Sequence, residues 1–181
     1  MKLFSANLKD LRELYLNSLQ KALDMEQQIT KALPTMIEKA TDPQLRHGFQ
    51  THLRETKLHA QKVENILVRA TGKASTITCK VAHALITEAQ DSIKDAADPA
   101  VMDVALIAAA QRVEHHEISV YGTLRAWATL LGEMQAAATL ETILHEEKNA
   151  DHLLSTVADS VNLEAEQPVY SSKGNVYTAT H

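Results

Sequence analysis

Apolar residues three and four positions apart mark one helix face along residues 5–40, at Leu8, Leu11, Tyr15, Leu19, Ala22, Ile29, Leu33, Met36 and Ala40. Pro34 lies inside this run and is expected to kink the helix or loosen its last turns. The chain restarts at TDPQ, residues 41–44, with Asp42 placed to cap a second helix and Pro43 at its first position. That helix is expected to reach about Arg69, with Gly72 ending it. A third long helix is predicted from near Pro99 to Leu131, with Gly132 in the turn, and a fourth from Glu133 to about Val161.

Residues 73–98 read differently. A polar STIT segment leads into the amphipathic CKVAHALITEAQDSI, and DAADPA then breaks the pattern. A short helix over 77–94, lying across or along the others, accounts for this stretch. The chain therefore reads as two tight helical hairpins joined by a long crossover, which suits a four-helix bundle whose second and third long helices run parallel. Residues 1–166 form this one domain, and the remaining QPVYSSKGNVYTATH, with no periodicity, is expected to be a disordered polar tail.

Composition supports the all-α reading. Among 181 residues there are 5 glycines and 4 prolines, and aromatics make up only 4%, which suits long helices better than a sheet. A net charge of −5 with interspersed signs and no basic block argues against a nucleic-acid surface. One cysteine, Cys79, permits no intramolecular disulfide. No segment has the length and apolarity of a signal peptide or a membrane span. A soluble cytoplasmic protein is the expectation.

The apolar stripes are interrupted by acids. Glu26 falls between Ala22 and Ile29; Glu55 falls between His52 and His59; Glu114 and Glu117 break the third long helix; Glu147 falls between Ile143 and Ala150. Helices rise about 1.5 Å per residue, so residues equally far from a hairpin turn share a height. Glu26 and Glu55 are 29 residues apart around the first turn, and Glu117 and Glu147 are 30 apart around the second. Four inward acids, Glu26, Glu55, Glu117 and Glu147, are thus expected in one layer.

A buried carboxylate without a partner costs several kcal/mol, and Lys21, Lys57, Arg112 and Lys148 lie off the inward stripes. Protonation, water or metal must compensate. His59 and Asp151 each follow a stripe Glu by four residues and are candidate second ligands. Oxygen-dominated donors with at most one imidazole suit iron or manganese, with zinc as an adventitious occupant.

The segments MEQQITKALPTM, HLRETKLHAQKVE, DVALIAAAQRVEHHEISVYGTL and LHEEKNADHLL resemble the YciE/YciF-type, stress-associated ferritin-like family over roughly residues 6–160. The resemblance implies a ferritin-like four-helix bundle, a di-metal site holding two iron ions or manganese, dimeric assembly and a role in bacterial stress. It carries metal ligation to Glu26, Glu55, Glu114 or Glu117, and Glu147, with Glu55 and Glu147 bridging. Ferritins place His three residues after the bridging Glu, but positions 58 and 150 are Leu and Ala here. In the family, the residue matching His59 is often Gln.

Six acids, Glu26, Glu55, Glu114, Glu117, Glu147 and Asp151, exceed the charge of two divalent ions, so Glu114 or Asp151 is the first to be set aside. Both stand between direct ligation and support of a ligand. His52 and His115 read as structural or solvated, Tyr15 and Tyr121 as core tyrosines, and His116, His145, Glu146 and Lys148 as surface. Glu88 and Cys79 receive no site role. Two functions follow. One is a di-metal protein reacting with oxygen or peroxide, in the manner of a non-haem di-iron oxidase, a ferroxidase or a manganese catalase. The other is a stress-induced dimeric bundle that acts by partner binding, with metal structural or absent.

Overall fold

The structure, a computed structural model, describes residues 7–166; the tail beyond them, expected to be disordered, lies outside the described residues. Helix α1 spans Leu11–Lys39 and starts later than its apolar stripe, because the Asp10 carboxylate accepts the Glu13 amide at 2.8 Å and caps the helix there. It runs on through an exposed Pro34 as one continuous helix. Helix α2 spans Pro43–Thr71, capped by Asp42 through the Leu45 amide at 2.8 Å. It ends at Gly72, whose φ of 80° lies in the left-handed region that favours glycine.

The crossover then lies along α1. The Ile77 amide donates to the Gln20 carbonyl at 3.2 Å, and the Cys79 amide donates to Asp24 Oδ2 at 2.7 Å. These bonds hold the backbone extended up to Cys79, so the short helix α3 spans Lys80–Asp95 rather than starting at 77. Helix α4 spans Pro99–Leu130, with Asp98 accepting the Ala100 and Val101 amides. Gly132, φ 76°, makes the last turn. Helix α5 spans Met134–Glu166, passing the expected end at Val161 because Leu163–Glu166 contain no glycine or proline to stop it.

Contacts at the helix ends fix the directions. The start of α1 meets the α4–α5 turn through Arg12 and Glu133 at 2.8 Å, and its end meets the start of α4 through Thr41 and Asp103. Helices α1 and α4 are therefore antiparallel. Since α1 and α2 form a hairpin, α2 and α4 run parallel, as the long crossover requires. Helix α3 packs over α1 and α4. Apolar layers fill both ends of the bundle: Tyr15, Leu19, Leu67, Leu124 and Leu140 toward Gly132, and Leu33, Leu45, Phe49, Leu106 and Val157 toward Thr41. Between them lies a polar stratum.

Candidate metal centre

Each long helix contributes to that middle stratum where its apolar stripe is interrupted. Helix α1 supplies Glu26, α2 supplies His52, Thr56 and His59, α4 supplies Glu114, Glu117 and Tyr121, and α5 supplies Glu147. All are buried, and Glu26, His59, Glu117 and Glu147 have 0% exposure, so water does not solvate them. Among the described residues two ligand groups form. His52, Glu114, Glu117 and Glu147 each place a donor atom within 4.8 Å of the others, and so do Glu26, His59 and Glu147. Glu147 belongs to both.

The bonding is incomplete. Among the described residues, both oxygens of Glu117, Glu147 Oε2, one oxygen each of Glu26 and Glu114, and both ring nitrogens of His52 have no hydrogen-bond partner. The Tyr121 hydroxyl donates to Glu26. His52 Nε2 lies 3.3 Å from Glu114 Oε1. His59 sits between two carboxylates of α5, with Nδ1 2.8 Å from Glu147 Oε1 and Nε2 2.7 Å from Glu146 Oε2. Lys62 Nζ donates to the same Glu146 oxygen at 2.8 Å.

Titration follows this geometry. Burial, then the charge of Glu147, pushes the Glu26 carboxyl up to about 8. The same two causes hold Glu114 and Glu117 well above the carboxylate range. Burial lowers His52, which favours the neutral imidazole. Burial also opposes a charged His59, but its contact with Glu147 and the surrounding carboxylates prevail and raise it to about 9. Partial burial of Glu146 is likewise overcome by the bonds from Lys62 and His59, which hold it below the usual range.

Of the residues singled out from the sequence, Glu26, His59, Glu114, Glu117 and Glu147 come together. Glu55 is half-buried at the edge of the stratum and belongs to neither group, because α2 is rotated so that Thr56 faces inward in its place. Asp151 lies on the α4–α5 seam, 3.2 Å from Gln111 Nε2 and 3.3 Å from an exposed His115. Two surface readings are corrected. Glu146 is half-buried because His59 and Lys62 draw it down, and His116 is half-buried with Nε2 3.8 Å from the buried Cys79 sulfur. His52, read as structural or solvated, is part of the cluster. The available signal was its spacing, seven residues or two turns before His59 on one face.

The donor set suits a metal. Six carboxylates reduce to four in the two groups, Glu26, Glu114, Glu117 and Glu147, whose full charge two divalent ions would balance. The unpartnered oxygens and imidazole nitrogens are the atoms a metal would satisfy.

Comparison with known proteins agrees with this architecture. The family described as "Domain of unknown function (DUF892)" matches residues 10–166. The chain is 35% identical to Protein YciF of Escherichia coli (strain K12) over 162 residues, covering 88% of this chain and 98% of that one. The crystal structure of the E. coli stress protein YciF superposes with a TM-score of 0.83 at 32% identity, covering 87% of this chain and 99% of that one. YcfI from Rhodopseudomonas palustris superposes with a TM-score of 0.83 at 42% identity, over 86% and 99% of the two chains. A two-domain protein of Anabaena variabilis with a ferritin-like domain shares the fold at a TM-score of 0.57 and 17% identity, covering 96% of this chain and 43% of that one. The bundle is ferritin-like.

Proposed function

This chain belongs to the DUF892 family and is similar to the stress protein YciF, and we propose that its buried stratum holds two iron or manganese ions that react with oxygen or peroxide. The observation that carries the reading is the set of unpartnered donor atoms, drawn from all four long helices, that fall into two ligand groups sharing Glu147. In this reading Glu26, His59 and Glu147 hold one ion, and His52, Glu114, Glu117 and Glu147 hold the other. Bound ions would supply redox electrons and Lewis acidity.

The protein's own groups position and move protons. The Tyr121 hydroxyl fixes Glu26, while Glu146 and Lys62 orient the His59 ring through its outer nitrogen, leaving the inner nitrogen toward the site. Burial and the charge of Glu147 raise Glu26, and, against burial, the surrounding carboxylates raise His59, so both favour the protonated form and an arriving ion would displace those protons. Closure by apolar layers on both sides excludes bulk water. Elemental analysis of protein from its own host, with ferrous oxidation followed by stopped-flow absorption, tests the proposal. A full-length protein that takes up no metal would overturn it.

One observation favours a second reading. The His59 ring, raised to about 9, already forms an internal ion pair with Glu147 and Glu146. Protonation can thus compensate part of the buried charge, as expected of a bundle acting through dimerisation or partner binding. That reading predicts a thermal midpoint indifferent to added metal and no oxidase turnover. A role in the stress response, a homodimer and a cytoplasmic location complete the proposal. The stress role rests on the likeness to the E. coli stress protein YciF, the homodimer on the resemblance carried by the sequence motifs, and the compartment on the single cysteine; among the described residues no helix is long and apolar enough to cross a membrane.

A further inference from the structure

A cavity of about 70 Å³ runs beneath the crossover helix and ends at the acidic stratum. Its walls are apolar: Leu33 of α1, Phe49 of α2, Ile86, Ala89 and Ile93 of α3, and Ala110 of α4. His52 and Glu114 close its inner end, both more than nine-tenths buried, with the His52 nitrogens and Glu114 Oε2 lacking hydrogen-bond partners. Lys31, Thr35 and Gln90, all exposed, stand at its outer rim between α1 and α3. The crossover helix thereby acquires a role beyond linking the hairpins, since it forms one wall of a passage to the ligand groups.

We propose that this cavity seats dioxygen and delivers it to the His52–Glu114 side of the centre, so that the oxidant is oxygen rather than peroxide. The inference rests on the metal reading above and narrows its substrate. A single water needs about 10–15 Å³ of such volume and two to four polar partners, which the inner end at His52 and Glu114 can supply but the apolar middle of the cavity cannot. Cavities lined only by apolar side chains stay dry and accept xenon, and the stretch between Leu33, Phe49, Ile86, Ala89 and Ile93 offers that environment to an apolar guest. Dioxygen is neutral, apolar and barely hydrated. Hydrogen peroxide both donates and accepts hydrogen bonds and would lose them on entry, with only His52 and Glu114 to replace them.

The test uses the full-length chain loaded with ferrous ion. Ala89→Phe and Ala89→Leu each fill the cavity to a different extent from the crossover helix, whose residues belong to neither ligand group, and the leucine serves if the phenylalanine fails to fold. In the wild type, ¹²⁹Xe NMR should detect xenon at this site, and in the filled variants the signal should be lost. Ferrous uptake should remain at the wild-type ratio while oxygen-driven oxidation slows by about tenfold or more. Peroxide-driven oxidation should slow much less. Absence of xenon from the wild type, an unchanged oxygen rate in a filled variant, or an equal loss with peroxide would overturn the proposal. The metal count separates the two failures. A wild-type chain that binds no ferrous ion sinks the metal reading and this one with it, whereas full uptake with an indifferent oxygen rate sinks only the cavity.

Discussion

Two parts of the bundle bury carboxylates, and they do so in opposite ways. At the α1–α2 turn, Asp103 is 2% exposed and accepts three hydrogen bonds, from the Thr41 amide at 2.8 Å, the Thr41 hydroxyl at 2.5 Å and the Asp42 amide at 2.8 Å. In the middle stratum, Glu117 is 0% exposed and neither oxygen has a hydrogen-bond partner among the described residues. The first acid ties the α1–α2 turn to α4 and is internally satisfied. The second is not, and burial lifts its carboxyl well above the ordinary range. What separates structural acids from a site is unmet bonding, since burial is common to both.

The largest expected effect falls on the residue shared by the two ligand groups. Glu147→Ala should lower metal affinity by more than the roughly 100-fold that loss of an outer supporting partner costs, while Asp103→Ala leaves the metal content of folded protein unchanged. Equilibrium dialysis with elemental analysis reads both.

Stability should invert that order. Asp103→Ala strands two backbone amides and is expected to cost about 2–4 kcal/mol in urea unfolding. Glu117→Leu removes an unpartnered buried acid, and in metal-free protein it should stabilise by about 1–3 kcal/mol. If Glu117→Leu destabilises the metal-free chain, the contrast fails.

A smaller effect concerns pH. Glu26 and His59 are raised on folding, from 4.5 to about 8 and from 6.5 to about 9. The folded state therefore binds more protons than the unfolded one, and their contribution to stability is lost as pH rises through those values. His52 and Glu146 are shifted the other way and act at more acid pH. Metal-free protein should weaken from about pH 4.5, where Glu26 starts to contribute, up to about pH 9, most steeply above 6.5 where His59 adds to it, and metal binding near neutrality should release protons, measurable with an indicator dye in weak buffer.

The smallest change is expected at Glu55 and Asp151, where alanine should reduce metal affinity by less than about tenfold. A loss at Glu55 as complete as at Glu147 would mean that Glu55 turns inward when an ion arrives.

Most of the fold was legible because its signals are local. Pro43, Gly72, Pro99 and Gly132 punctuate the chain, and apolar steps of three and four give the helices between them. The equal spacing of acids about the two turns likewise located the stratum along the bundle. What sequence did not resolve is rotation about each helix axis. On α2, both His52–Glu55–His59 and His52–Thr56–His59 are proper helical steps, and only packing around Leu45, Phe49 and Val63 decides which residue faces inward. The half-burial of Glu146 escaped for a related reason, because it depends on Lys62 and His59 approaching from another helix.

The hairpins divide the donors between them. The α1–α2 pair carries Glu26, His52 and His59, and the α4–α5 pair carries Glu114, Glu117 and Glu147, so neither ligand group exists until the halves have met. Under the metal reading, ions would act as rivets across that seam, and a chain nicked in residues 73–79 would hold together more firmly with them than without. Metal content would then serve as a check on correct assembly, since a half-built bundle has nowhere to keep it.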